Sequence, residues 1–230
     1  MSHDVQVLPD LLIKRDNFEI IRDQIAGIIK ANADHQYVLA QGGAMADTAD
    51  QWQMRVFTEA SNPWEQYRDW KPADGFPAPI VNIWYDNSNF NEPSSNTTDR
   101  QDSRSVYNVD VYAFGYARNE VTGGHTPGDV DAAFQCHRTM RFVRNFLMAS
   151  QNVHLQMTGL IGQRWPQSIT SFQPSLDAQH VQQIVAARLA LRVRFNEFAP
   201  QTTPDTLEGV FLQVKRQDTG EVYFEYDRTL

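Results

Sequence analysis

From residue 185 to 195 the chain alternates without a break. Val185, Ala187, Leu189, Leu191, Val193 and Phe195 hold the odd positions, and Arg188, Arg192 and Arg194 fall on the even ones. A period of two places the sets on opposite faces of a strand. A helix would spread the arginines around its whole circumference. The segment therefore predicts a half-buried antiparallel strand, ended by Pro200 and Pro204. Residues 103–115 repeat the pattern: Tyr107, Val109, Val111 and Ala113 share one face, and Asn108, Asp110 and Tyr112 the other. If the strands are neighbours, Asp110 is expected to pair with one of the three arginines.

Further strands are expected at 53–59, 80–86, 153–161 and 168–172, with Trp165-Pro166 in a turn region between the last two. The polar stretch 87–102 reads as an extended hairpin loop between 80–86 and 103–115. Residues 207–230 read as a terminal hairpin. Val210, Leu212 and Val214 alternate into the turn at Asp218-Thr219-Gly220, and Val222, Phe224 and Tyr226 alternate out.

Two segments carry the helical period instead. In 18–33, Phe18, Ile21, Ile25, Ile28 and Ile29 recur on one face, with Asp16 or Asn17 as the cap. In the second, Thr126 is expected to cap a helix with Pro127 at its first position and Asp129 and Asp131 in the first turn. Cys136, Met140, Val143 and Leu147 form its apolar stripe, while Arg138, Arg141 and Arg144 lie along another face. The expected fold class is α+β: a mainly antiparallel β-sheet flanked by two principal α-helices, with a C-terminal β-hairpin, all in one domain over 1–230. Within it, 44–79 is broken by Pro63, Pro72, Pro77 and Pro79 yet rich in large rings, with Trp52, Trp64, Tyr67 and Trp70. Those rings are expected to cover an edge of the core or to meet a neighbouring subunit.

Chemistry-bearing patterns are sparse. The single cysteine, Cys136, permits no disulfide framework and points to a reducing compartment. The first ten residues carry no apolar targeting run, and no stretch has transmembrane length, so a protein made in the cytosol with no membrane partner is expected. A formal net charge of −8 argues against tight non-specific nucleic-acid binding. The six histidines show no metal-ligand spacing. No GxSxG or phosphate-binding loop occurs. Asp129 and Asp131 suit a helix N-terminus, where negative charge is favourable, and Glu221 and Glu225 flank a hairpin. No catalytic, cofactor-binding or metal-binding residue is assigned, no cofactor is expected, and the chain does not read as an enzyme.

What stays unexplained is surface. The candidate interface or lumen residues are Arg138, Arg141, Arg144, Arg188, Arg192, Arg194, Trp64 and Trp70.

The series of elements resembles a known family. It comprises an N-terminal helix, the strand Ile80-Val81-Asn82-Ile83-Trp84-Tyr85, and the longer strand Ser103-Arg104-Ser105-Val106-Tyr107-Asn108-Val109-Asp110-Val111-Tyr112-Ala113. A helix with Ala132-Ala133 and Val143-Arg144-Asn145-Phe146-Leu147 follows, and then the strand Ala186-Ala187-Arg188-Leu189-Ala190-Leu191-Arg192-Val193-Arg194-Phe195. In that order, over 18–198, the chain resembles the tail terminator (tail completion) proteins of tailed bacteriophages, including sheath-terminating neck proteins. The resemblance implies a homo-oligomer, a hexameric ring in the virion tail or neck. The ring caps the tail tube, locks the last sheath ring where the tail is contractile, and docks on the head-tail connector or stopper. DNA is then only passing cargo, and no active site is implied. Against the small members of that family, 44–79 and 207–230 look like additions. Two other readings stand beside it: another connector, stopper or baseplate adaptor, and a small nuclease or hydrolase with a dispersed site.

Overall fold

The computed structural model describes residues 15–43, 46–67, 75–90, 100–119, 124–174 and 183–198, together with the backbone of 209–215 and 222–229. Within this range Arg15–Phe198 forms one compact unit, and the C-terminal strands belong to a second. The expected stops Pro200 and Pro204 and the turn Asp218-Thr219-Gly220 lie outside the described residues.

The alternating segment becomes the centre of a five-stranded sheet. Strand β7 (Ile184–Phe198) pairs antiparallel with β3 (Arg100–Phe114) along its whole length, 15 residues against 15. On one side of this pair lie β2 (Ile80–Phe90) and then β1 (Arg55–Thr58); on the other lies β6 (Ile161–Phe172). Every pairing is antiparallel except β1 with β2. That parallel pair needs a crossover, and the connection supplies it through a short 3-10 helix, Pro63–Tyr67. The expected hairpin between β2 and β3 is present with longer arms, since pairing runs out to Phe90 and Ser103.

Both long helices pack on one face of this sheet. Helix α1 (Asn17–Gln41) buries Ile21, Ile25, Ile28, Ile29 and Ala33, and α2 (Gly128–Met148) buries Cys136, Met140, Val143 and Leu147. Beneath them lie Val109, Val111, Leu189, Leu191 and Val193, all fully buried. The protein is thus α+β, with two helices over a mainly antiparallel sheet. Helix α1 begins as expected, with Glu19 Oε2 accepting the Asp16 backbone N–H at 3.0 Å. It runs further than its apolar period suggested, because no breaker precedes Gly42-Gly43.

Three local expectations need correction. Thr126 does not cap α2; it pairs as part of β5 (His125–Thr126) with β4 (Arg118–Asn119), and Pro127 takes the cap position. No strand forms at 153–160. There the chain turns after Ser150–Asn152, with Leu155 and Gln156 at positive φ. The reversal serves the end of α2. Asn152 Nδ2 donates to the Phe146 carbonyl at 2.7 Å, and the Arg164 guanidinium donates to the carbonyls of Asn152 and Ala149 at 2.5 and 2.8 Å. These bonds satisfy acceptors at a helix end that would otherwise be buried unpaired. Finally, Trp165-Pro166 lies inside β6 and makes no turn. Because β6 is an edge strand, a proline and a bulge at Pro166/Ser168 are tolerated.

Part of the second face of the sheet, around Tyr112, Phe114 and Ile184, is covered by the aromatic-rich connection. Tyr67, 1% exposed, stacks on Phe114 at 5.4 Å and donates its hydroxyl to the Ala78 carbonyl at 2.8 Å. Trp64 tilts against Tyr112 at 5.3 Å. On the helix side, Trp52 stacks on Phe142 at 4.0 Å. The described rings therefore cover this chain's own core.

The C-terminal hairpin consists of β8 (Gly209–Lys215) and β9 (Val222–Thr229), paired antiparallel with Leu212 opposite Tyr226 and Val214 opposite Phe224.

Two glycines separate tight packing from free surface. A Cβ at Gly115 would stand 2.3 Å from the Gly128 carbonyl oxygen and 2.4 Å from the Ala132 nitrogen, where β3 leaves against the start of α2. Backbone cannot yield as a side chain can, so Gly115→Ala is expected to cost about 3 kcal/mol in urea denaturation, the upper end for overpacking. Gly27, exposed on α1 with nothing within 4 Å, should respond oppositely. Gly27→Ala is expected to gain about 1 kcal/mol in the same assay.

Candidate functional site

The register of β3 and β7 places Asp110 directly opposite Arg188. Arg188 Nε and Nη2 donate to the two carboxylate oxygens of Asp110 at 2.7 and 2.8 Å, a bidentate pair. Asp110 is 1% exposed. Its Oδ2 also accepts Trp84 Nε1–H at 3.0 Å and the Tyr112 hydroxyl at 3.2 Å. The guanidinium lies over the Trp84 ring at 4.6 Å and the Phe172 ring at 5.2 Å. The bond to Asp110 leads in raising the Arg188 pKa above its usual value, against the opposing effect of burial. Burial, followed by the Asp110 charge, raises the Tyr112 hydroxyl. The expected pairing is therefore present, and Arg188 is the arginine that makes it. Trp64 joins these groups along a cleft of about 590 Å³ that also takes in Asn62 and Gln173.

The other β7 arginines are engaged as well. Arg192 lies over the Trp165 ring at 5.9 Å, and Arg194 Nε donates to Asp102 Oδ1 at 2.7 Å. The β7 stripe is thus held largely by this chain's own side chains, and the structure offers it only in part to a partner. Trp70 lies outside the described residues.

The arginines of α2 differ. Arg141 and Arg144 are exposed; Arg138 is half-buried, and its Nε and Nη2 are buried without hydrogen-bond partners. Burial leads in lowering its pKa below the ordinary arginine value. Val130, Phe134, His137, Arg141 and Arg144 fall at heptad-like spacing and form the outward stripe of the helix. Phe134 is 69% exposed and Val130 39%. Beside this stripe a cleft of about 800 Å³ runs between Arg138, Phe134, Tyr116 and Phe76.

Two polar centres had no local signal in the sequence. Asp131, expected only to favour the start of a helix, is 6% exposed; it pairs with Arg118 and accepts Gln135 Nε2–H at 2.9 Å. Arg164, expected in a turn region, is the α2 end cap described above. Both depend on a partner brought in by a connection with no periodic pattern.

Among the described residues, no three His, Cys, Asp or Glu side chains gather as metal ligands. Cys136 is fully buried, its thiol donating to the Val111 carbonyl at 3.6 Å, and burial pushes its pKa up to about 12. A thiol so placed behaves as a small apolar side chain. No helix is long and apolar enough to cross a membrane among the described residues. The chain matches no protein-family model and no curated relative.

Removing one partner of a desolvated ion pair strands the other. Asp110→Ala is expected to cost about 3–5 kcal/mol in urea denaturation. A double-mutant cycle of Asp110→Ala with Arg188→Ala should give a coupling of about 1.5–3 kcal/mol. A coupling near zero would assign the loss to packing.

Proposed function

We propose that this protein is a virion structural component. Its copies form a hexameric ring that caps the head-proximal end of a bacteriophage tail tube, bears on the sheath where one exists, and joins the tail to the head connector. The observation that carries the reading is the outward stripe of α2: Val130 and Phe134 stand exposed, and Arg141 and Arg144 continue the same line. An exposed phenylalanine beside exposed arginines suits a protein partner, since aromatic and arginine side chains dominate the binding energy of interfaces. Most of the chain's other chemistry is spent on its own stability: Asp110 holds Arg188, and Cys136 is sealed in the core. The order of elements that resembles tail terminators supplies the rest of the case. In a ring, each subunit presents two complementary surfaces to its neighbours. On a chain of net charge −8, the exposed Arg141 and Arg144 suit an acidic neighbour.

Negative-stain microscopy of the purified protein, alone and mixed with tail tubes, tests this. Six-fold rings that seat on one end of the tubes are expected. A monomer that leaves both tube ends bare overturns the reading. In the same assay Phe134→Ser combined with Arg141→Glu and Arg144→Glu should abolish rings or capping. Because all three positions are exposed, each change should alter stability by no more than about 0.5 kcal/mol.

A further inference from the structure

The five-stranded sheet ends on two unlike edges. Strand β1 has 4 residues, whereas β6 has 12 and pairs on one side only, with β7. The outer row of β6 backbone N–H and C=O groups therefore has no partner strand among the described residues. Such a row is a template for another strand, and proteins usually blunt it with charge, proline or a bulge. In β6 these devices sit in the first part: the bulges at Ile161/Gln163 and Pro166/Ser168, and Pro166 itself. From 167 to 172 the strand carries neither charge nor proline, and 167–171 are exposed. Ile169, opposite Leu189 on the helix side of the sheet, is 49% exposed.

Among the described residues the strands of the C-terminal hairpin pair only with each other, and a two-stranded ribbon gains stability from a further strand or a packed face. Its register puts Leu212 and Val214 on one face with Tyr226 and Phe224. The two hairpin edges also differ. Strand β9 carries Glu225, Asp227 and Arg228, whereas β8 has no charge from Val210 to Val214. The connection 199–208 can span at most about 33–36 Å when extended, at 3.3–3.6 Å per residue. That is about the diameter of a small domain.

We propose that β8 of one copy adds to the outer edge of β6 in the next copy, extending the neighbour's sheet by the hairpin. Main-chain hydrogen bonds give the contact its strength, and Ile169 gives it an apolar anchor on the helix side. Donor and acceptor surfaces differ, so the contact passes from copy to copy, and in the ring reading its rotation closes after six copies. The inference rests on the ring reading above and names the contact that links its subunits.

Cysteine cross-linking in the full chain tests it, and the buried Cys136 stays silent. Thr170→Cys and Gln213→Cys proteins, each carrying one new thiol, are mixed and treated with a short bis-maleimide. A covalent heterodimer is expected, at least about ten-fold above a control mixture of Thr170→Cys with Asn145→Cys on α2. The double variant Thr170→Cys/Gln213→Cys should give a ladder of linked copies. A heterodimer no stronger than the control, or a double variant that links only within its own chain, overturns the strand addition. Six-membered rings without the cross-link overturn the strand addition and leave the ring reading standing. A closed cross-linked dimer without larger species overturns the ring reading and leaves the strand addition standing.

Discussion

The pairing of Asp110 with Arg188 holds the register on which the sheet depends. The two residues lie 78 positions apart and face each other in the middle of β3 and β7. A slip of one residue would carry Val109, Val111, Leu189 and Leu191 to the wrong face and leave Asp110 without its cation. Hydrophobic burial supplies most of the driving force, but it is tolerant of sliding. A bidentate ion pair with an indole N–H and a phenol hydroxyl on the same carboxylate is not. Both helices pack on the face that this register keeps apolar.

The same pair changes which arginines a partner can use. A sheet face bearing Arg188, Arg192 and Arg194 suggests a basic surface, yet Arg188 and Arg194 hold carboxylates of the neighbouring strand β3 and Arg192 lies over a ring. Two of the three charges are thereby paired within the sheet. On α2, Arg141 lies over the Phe142 ring, and both Arg141 and Arg144 stay exposed because they stand on the side of the helix turned away from the sheet. Fold and proposed function are thus linked through charge: the sheet pairs Arg188 and Arg194, and the helix leaves Arg141 and Arg144 exposed.

How far the sequence could be read depended on the range of the interaction. Alternation in β7 and the four-residue recurrence of Ile21, Ile25 and Ile29 are local patterns, so both elements were legible. Asp110 was legible as a partner because its face was clear, although the choice among three arginines needed the register. The Thr126 cap was misread because the local signal for capping competes with pairing to Arg118 in β4 and β5. The turn at 153–160 looked like a strand because Val153, Leu155 and Leu160 are apolar. Leu155 is buried there as a single plug beside the closed end of α2, which no period announces.

The sequence by itself determined the two helices, the central strands, the faces they bury and the lack of a local catalytic motif. Each follows from residue spacing along a single element. The tertiary structure alone decided that β1 runs parallel to β2, that Arg164 closes α2, that Arg188 is the arginine Asp110 holds, and that β6 is the outermost strand of the sheet among the described residues. These depend on which distant segments meet, and that choice is set by burial and hydrogen bonding across the whole sheet, which no local pattern records.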